Sequence, residues 1–471
     1  MTEWYVCPPT PVQEEPSVGR PFDQEPLVGI ARKSAIGIVG QVYMLVVGLV
    51  STILVARLLG PEGKGVLAIV AAIPSMGVGV ASFGLGPALG YMAGKDRYPA
   101  RDLVTAAVVW SLLLGVAVGA FLWLARNTLL TSVMKGMTTV DLVVVLVALP
   151  ASYISAFTGA LFAGHGRAVA IAGLSAVGAT VNLVGVVGAS VFAPRNASAV
   201  VLAVSISSVL NALLALVVYR ASFTLSARRI VEITRFATPY AAKSYVGQAT
   251  SMFFLRADVF FLNYFAGPAA VGIYSVATNL AEKLWMLSNP VSNAVYGLIT
   301  GAERHDAVRL TTLTSRALLI LNGAAAILLF LIAIPLVPII YGLQFANATL
   351  YLGLLLPGVV VFAVCQPYGL YFSGQLGRPG VTSSLLSLMM VLSALLYVTL
   401  IPPMGASGAA LGSTLAYSTA LIGYAVLFPR ATDRTVRDML VPTRADRVLY
   451  RNLALSSSRR VLGWVRGRKS S

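Results

Sequence analysis

Apolar runs of about twenty residues, each closed by a short cluster of polar, Gly or Pro positions, recur from residue 35 to residue 428. A helix rises 1.5 Å per residue, so each run can cross ~30 Å of hydrocarbon. The pattern predicts twelve spanning helices, at about 35–56, 66–92, 103–125, 140–162, 168–192, 198–219, 236–264, 269–300, 316–341, 349–374, 380–401 and 406–428. Residues 1–30 break the pattern with Glu3, Glu14, Glu15, Asp23, Glu25 and closely spaced prolines. Without a basic start or an apolar run they read as a disordered cytoplasmic tail, not a secretory signal. Residues 429–471 interleave Arg and Lys with Leu449, Leu453, Val461, Leu462, Trp464 and Val465, as in a basic amphipathic tail lying at a membrane surface.

Composition narrows the class. Hydrophobic residues make up 57% of the 471 and charged residues only 11%, with a mean hydropathy of +0.83. Soluble domains carry about 25% charge, so a soluble enzyme is excluded as the bulk of the chain. Cys7 and Cys365 are too far apart in character to suggest a disulfide, and His165 and His305 have no metal-ligand spacing around them. The net charge of +17 has a topological reading. On one side of the predicted membrane the loops hold only Arg57, Lys64, Arg126, Lys135 and Arg195. Apart from Lys243, Arg256 and Lys283 inside spans, all other Lys and Arg crowd the opposite side. Cationic loops stay cytoplasmic, which places both termini inside, against anionic membrane lipids, and removes the need for a nucleic-acid partner.

The chain also repeats itself. Gly60-Pro61-Glu62-Gly63-Lys64-Gly65-Val66 joins the first two spans, and Gly267-Pro268-Ala269-Ala270-Val271-Gly272-Ile273 joins the seventh and eighth. Phe162-Ala163-Gly164-His165-Gly166-Arg167 and Phe372-Ser373-Gly374-Gln375-Leu376-Gly377-Arg378 occupy equivalent loops at nearly the same offset. Two six-helix bundles follow, at 31–222 and 223–428, related as parallel repeats about an axis along the membrane normal. Such bundles enclose a central cavity and rock to give alternating access, so a transporter is the leading class.

Charge inside a span costs roughly 2.5–3.5 kcal/mol near mid-membrane unless it meets water or a partner. Lys243, Arg256, Asp258, Glu282 and Lys283 stand there. Arg256, Glu282 and Lys283, nearest mid-depth, are the first candidates for substrate binding. Asn279, Glu282, Asn289 and Asn293 share one face of the eighth span, and Tyr240, Ser244, Gln248, Ser251 and Asp258 one face of the seventh. Cavity lining and interhelical hydrogen bonding are the two readings of these stripes. Gln41 and Tyr43 are weaker candidates in the first span. Asp258 and Glu282 are the acids able to take H+ or Na+; no other cofactor and no metal is expected.

Four motifs then resemble one family. Arg57-Leu58-Leu59-Gly60-Pro61-Glu62-Gly63-Lys64-Gly65 is similar to the signature after the first helix of bacterial polysaccharide-biosynthesis flippases in the multidrug/oligosaccharidyl-lipid/polysaccharide (MOP) exporter superfamily. Arg256-Ala257-Asp258-Val259-Phe260-Phe261-Leu262 with Val271-Gly272-Ile273-Tyr274-Ser275 resembles its seventh-to-eighth segment. Pro335-Leu336-Val337-Pro338-Ile339-Ile340-Tyr341-Gly342 and Gly405-Ala406-Ser407-Gly408-Ala409-Ala410 match later regions. The resemblance implies an all-α MATE/MOP-like membrane protein of the bacterial cytoplasmic membrane that flips a lipid-linked oligosaccharide, commonly on undecaprenyl pyrophosphate. It also implies a cationic cavity, to which Lys243, Arg256 and Lys283 answer, places Arg57 in a motif position, and makes pathway glycosyltransferases or a polymerase expected partners. Family members often have fourteen spans where twelve are counted here. A drug/cation antiporter of the MATE branch and a membrane glycosyltransferase or polymerase remain as alternatives.

Overall fold

The computed structural model describes residues 24–441 apart from 221, 224 and 225, with side chains described from Gly40 onward and that of Asn293 excepted. The proposed disordered tail up to residue 23 and the basic tail beyond 441 lie outside the described residues. Helix α1, Gln24–Ala81, begins inside the stretch assigned to the disordered tail. Pro26 is tolerated there because first-turn N–H groups have no helical partner to lose.

Among the described residues the structure is helical, without strands. After α1 come α2 (Leu85–Gly94), α3 (Ala100–Leu124), α4 (Arg126–Thr131), α5 (Thr139–Gly164), α6 (Ala168–Phe192) and α7 (Ala197–Tyr219). The second half contains α8 (Ala227–Glu282), α9 (Trp285–Gly301), α10 (Arg304–Tyr341), α11 (Ala348–Leu370), α12 (Pro379–Met404), α13 (Ala406–Ala431) and the short α14 (Val436–Leu440). A π turn, Tyr371–Gln375, ends α11.

Ten segments are long and apolar enough to cross a membrane, but Gly40–Ala81 has 42 residues and Ala227–Ser292 has 66. A single crossing takes about 20 residues, so each of these two holds two passes. The junctions are visible: Gly60 (φ 67°, ψ −171°) interrupts α1 and Gly267 (φ 80°, ψ 176°) interrupts α8. Glycine reaches that backbone region without a Cβ clash, and the proline that follows each is preset to start a new helix. Among the described residues twelve spans result, as the apolar pattern anticipates. One expected span is not continuous, however. Span 2 breaks at Ser82, Phe83 and Gly84 before α2, whereas span 8 keeps helical backbone angles at Lys283 and Leu284 and only tightens to i→i+3 bonding before α9. Span 9 is also longer than anticipated, because α10 starts at Arg304 and carries Arg309 and the buried Arg316 on helix.

Within the first half α5 packs on α2, α3 and α7, and α6 packs on span 1 and α7; within the second, α11 and α12 both lie against α13. The halves meet chiefly through α1 against α8. At the end carrying the two Gly-Pro junctions, this contact is at backbone distance. A Cβ built on Gly65 would lie 1.8 Å from the Pro268 carbonyl oxygen, and one on Gly272 would lie 1.8 Å from that of Pro61. The duplicated motifs therefore seal the Gly-Pro end by packing reciprocally against each other, as small residues do where membrane helices approach closely.

The opposite end, bearing the basic loops, is asymmetric. Span 7 stays with α2, α3 and the loop between them: the Trp110 indole N–H of α3 donates to Thr234 at 3.1 Å, the Tyr91 and Tyr240 rings stack at 4.8 Å, and Arg97 of the loop lies 3.9 Å over the Phe236 ring. Ile233, Ala237 and Ala241 of α8 even join the core formed by Leu89, Leu103 and Phe157 of the first half. Spans 1 and 8 instead stay with their own halves. Span 1 leans on α6, where Tyr43 and Thr180 hydroxyls lie 2.7 Å apart, and α9 leans on α10, α11 and the π turn.

Candidate functional site

Membrane charges pair between spans 7 and 8. Arg256, on span 7, directs two guanidinium nitrogens at the two carboxylate oxygens of Glu282, at 2.7 and 3.4 Å. Their side chains are 36% and 26% exposed, so the pair borders open space instead of being sealed inside a dry contact. Lys283, the next residue, at the tightened turn that follows α8, is exposed. The pair is thus flanked in the chain by a further cation.

Beside them lies a buried carboxylate. Asp258 is 7% exposed and accepts from the Tyr274 hydroxyl at 2.8 Å and from the Val259 backbone N–H at 2.8 Å. The Tyr274 oxygen is 3.5 Å from that of Ser413, which lies 2.9 Å from the Tyr397 hydroxyl. Hydroxyls from α8, α12 and α13 thus extend from one acid. The sequence reading missed Tyr274, Tyr397 and Ser413, since isolated hydroxyls in apolar helices carry no spacing signal.

A cavity of about 310 Å³ opens within the second half, between α8, α9, α11, α12 and α13. Its polar lining is neutral: Ser251, Asn289, Ser292, Gln366, Ser373 and Thr382, with the Phe362 and Tyr424 rings. Gln366 organises it, accepting from Ser292 at 2.8 Å and donating to the Asn289 side-chain oxygen at 3.3 Å. Sequence reading did not single out Gln366, although it lies between Cys365 and Pro367 in an otherwise apolar run.

Other candidates are placed differently. The seventh-span stripe divides: Ser251 lines the cavity, but Tyr240 stacks on Tyr91, and Gln248 donates to Ser82 at 2.9 Å across to the break in span 2. Neither reading of that stripe fits all of it. The eighth-span stripe divides too, although the backbone stays helical through Lys283 and Leu284. Asn279 donates to the Ser275 carbonyl of its own helix at 2.6 Å, while Asn289 reaches the cavity. Arg57 donates to the carbonyls of Ile339 and Ile340, at 2.7 Å for the latter, and so ties the end of span 1 to the C-terminal turn of α10. That turn carries the negative end of the helix dipole, which a guanidinium complements. Lys243 and Gln41 are exposed.

A twelve-span bundle of two parallel halves among the described residues, with paired charges between spans 7 and 8 facing open space, is the architecture of a multi-pass membrane transporter. The family model described as polysaccharide biosynthesis protein matches residues 30–302, more than half of the 471. The chain belongs to that family. A search of curated protein sequences finds no match. Among solved structures, the lipid II flippase MurJ in an inward closed conformation matches with a TM-score of 0.68 at 11% identity, over 86% of this chain and 89% of that one. A MATE multidrug-resistance transporter of the MOP superfamily matches in its inward-facing conformation with a TM-score of 0.61 at 17% identity, over 82% and 94%. An outward-facing MATE structure of the same superfamily matches at 0.55 and 18% identity, over 85% and 94%. The fold is that of MOP-superfamily flippases and exporters.

Proposed function

We propose that the protein flips a lipid-linked oligosaccharide from the cytoplasmic to the outer face of a bacterial cytoplasmic membrane, for capsule, exopolysaccharide or O-antigen-type polymers. The observation that carries this reading is the Arg256–Glu282 pair, followed in the chain by the exposed Lys283, in a half that also holds a cavity whose polar groups are all neutral. A pyrophosphate needs fixed cationic donors, which strengthen in a low-dielectric wall. Arg256 and Lys283 supply them, with Glu282 holding the guanidinium in place until the anion competes for it. Sugars need amide and hydroxyl partners and an aromatic face, which Asn289, Gln366, Ser292 and Tyr424 offer. Asp258 with its hydroxyl neighbours is the site for H+ or Na+ coupling. The Gly-Pro end is the outer end and the basic end the cytoplasmic one, following the charge asymmetry of the loops.

The protein acts as a transporter and not as a glycosyltransferase or polymerase, since transferase chemistry calls for a base or metal site on a sizeable outer loop. In a strain lacking the gene, wild-type protein should restore polymer export, whereas Arg256→Gln and Lys283→Gln should accumulate lipid-linked oligosaccharide at normal membrane levels of protein. Wild-type export by both variants would sink the proposal. Bond formation by purified protein given labelled lipid-linked sugar would replace it with an enzyme.

A further inference from the structure

Lys64 stands in the Gly-Pro seal, and no charge is needed there to build the fold. By the repeat its counterpart is Val271, which is fully buried, so this is an apolar packing position in the second half. Lys64 is itself 8% exposed. No hydrogen bond or ion pair to it is found among the described residues, and Glu62, the nearest acid in sequence, is exposed. Replacing an apolar residue by an unpaired ammonium in a buried contact is unfavourable, and a local rule broken without compensation marks a functional position.

The surroundings say which chemistry the ammonium suits. Lys64 lies in the first turn of the helix that starts at Pro61, and helical side chains lean toward their own N-terminus. The helix starting at Pro268 packs beside it at its own first turn, since Gly65 abuts the Pro268 carbonyl and Gly272 abuts that of Pro61. Two helix N-termini, each carrying about half a positive charge, therefore lie side by side, with Lys64 on the first turn of one of them. Helix starts of this kind bind anions, and here the lysine adds a full charge to them.

We propose that Lys64 is a second docking charge for the anionic head of the cargo, covered while the Gly-Pro end is sealed and uncovered when the halves part there. In the sealed state these positive ends lie close together, so an arriving phosphate favours opening. Arg256 and Lys283 would hold the head at mid-membrane and Lys64 would receive it nearer the exit. This inference rests on the flippase reading above.

The test uses full-length protein in a background with Cys7→Ser and Cys365→Ala that retains export. Lys64→Val, which copies the repeat partner, should fold and lower export about tenfold, while Lys64→Arg should keep it. Lys64→Cys should be equally impaired and regain export when an aminoethyl methanethiosulfonate restores an ammonium, but not with the neutral methyl reagent. Wild-type protein in detergent should show a melting-temperature shift with geranylgeranyl pyrophosphate that shrinks in Lys64→Val. If the wild type shows no shift, the pyrophosphate cargo itself is overturned. If it shifts but Lys64→Val exports normally, or the neutral reagent rescues as well as the charged one, the role of Lys64 alone is overturned.

Discussion

Spans 2 and 8 hold equivalent places in the two halves but run differently. Span 2 is interrupted at Ser82, Phe83 and Gly84, where Phe83 and Gly84 take positive φ, whereas span 8 keeps right-handed backbone angles through Lys283 and Leu284 and only tightens there to i→i+3 bonding. Ser82 is fully buried and accepts from Gln248 of span 7, so the interruption is a neutral lock between halves. Glu282 pairs with Arg256 and stays partly exposed, and Lys283, next to it in the chain, is exposed. Equivalent spans thus serve as a neutral contact in one half and as a charged site in the other.

The largest effects should come from the feature both spans share. Gly65→Ala and Gly272→Ala each push a methyl into a carbonyl oxygen across the seal, an overpacking worth about 3 kcal/mol. Both should hold the Gly-Pro end open, and export should fall alike in the two variants. Maleimide labelling from outside of a cysteine at position 66 would report the opening; unequal behaviour of the pair would break the symmetry argument. Next come the charges, which should separate the halves. Arg256→Gln or Glu282→Gln alone should destabilise the protein by about 1–2 kcal/mol, since the partner left behind is only partly desolvated. The double variant should regain stability in thermal denaturation yet remain without export, which distinguishes a site from a structural pair.

Smaller changes should follow in the neutral lock. Gln248→Ala or Ser82→Ala removes a single neutral hydrogen bond, worth about 1 kcal/mol, and should leave export largely intact. An effect as large as that of Arg256→Gln would erase the contrast between the two spans. The smallest effect is expected at the basic end. There α14 docks through its backbone: Tyr368 donates to the Met439 carbonyl at 3.1 Å and Arg316 to that of Val441 at 3.2 Å. Thr435 and Asp438 form its capping box. Hydrogen bonds from the Thr435 backbone and hydroxyl hold the Asp438 carboxyl below its usual range. A depressed folded pKa contributes stability that is present above the unfolded value and lost as pH falls through the folded one. Hydrogen exchange at 436–440 should therefore quicken below the ordinary carboxylate range, and Thr435→Ala should abolish that dependence.

The span count was legible in the chain because lipid permits one solution for a long apolar run, a helix that satisfies its own backbone. The duplicated Gly-Pro motifs were legible for a related reason, since a positive φ followed by a fixed one leaves little choice of residue. Arg256, Glu282 and Lys283 stood out because charge in an apolar run is expensive. What could not be read was direction and partnership. The stripe on span 7 looked uniform, yet Gln248 and Tyr240 face the other half while Ser251 faces a cavity, because the helix crosses from one core to the other along its length.

By itself, then, the amino-acid order determined a twelve-pass helical body, its repeated motifs, the charge asymmetry of its loops and the short set of charges that need an explanation. Tertiary structure decided which of those charges pair, that Arg57 clamps the end of α10, and that Lys64 is buried opposite its twin motif. The reason is physical. Spanning and sidedness follow from the solvation of each segment on its own, whereas pairing and burial depend on which helices meet, and hydropathy is the same whichever neighbour a helix has.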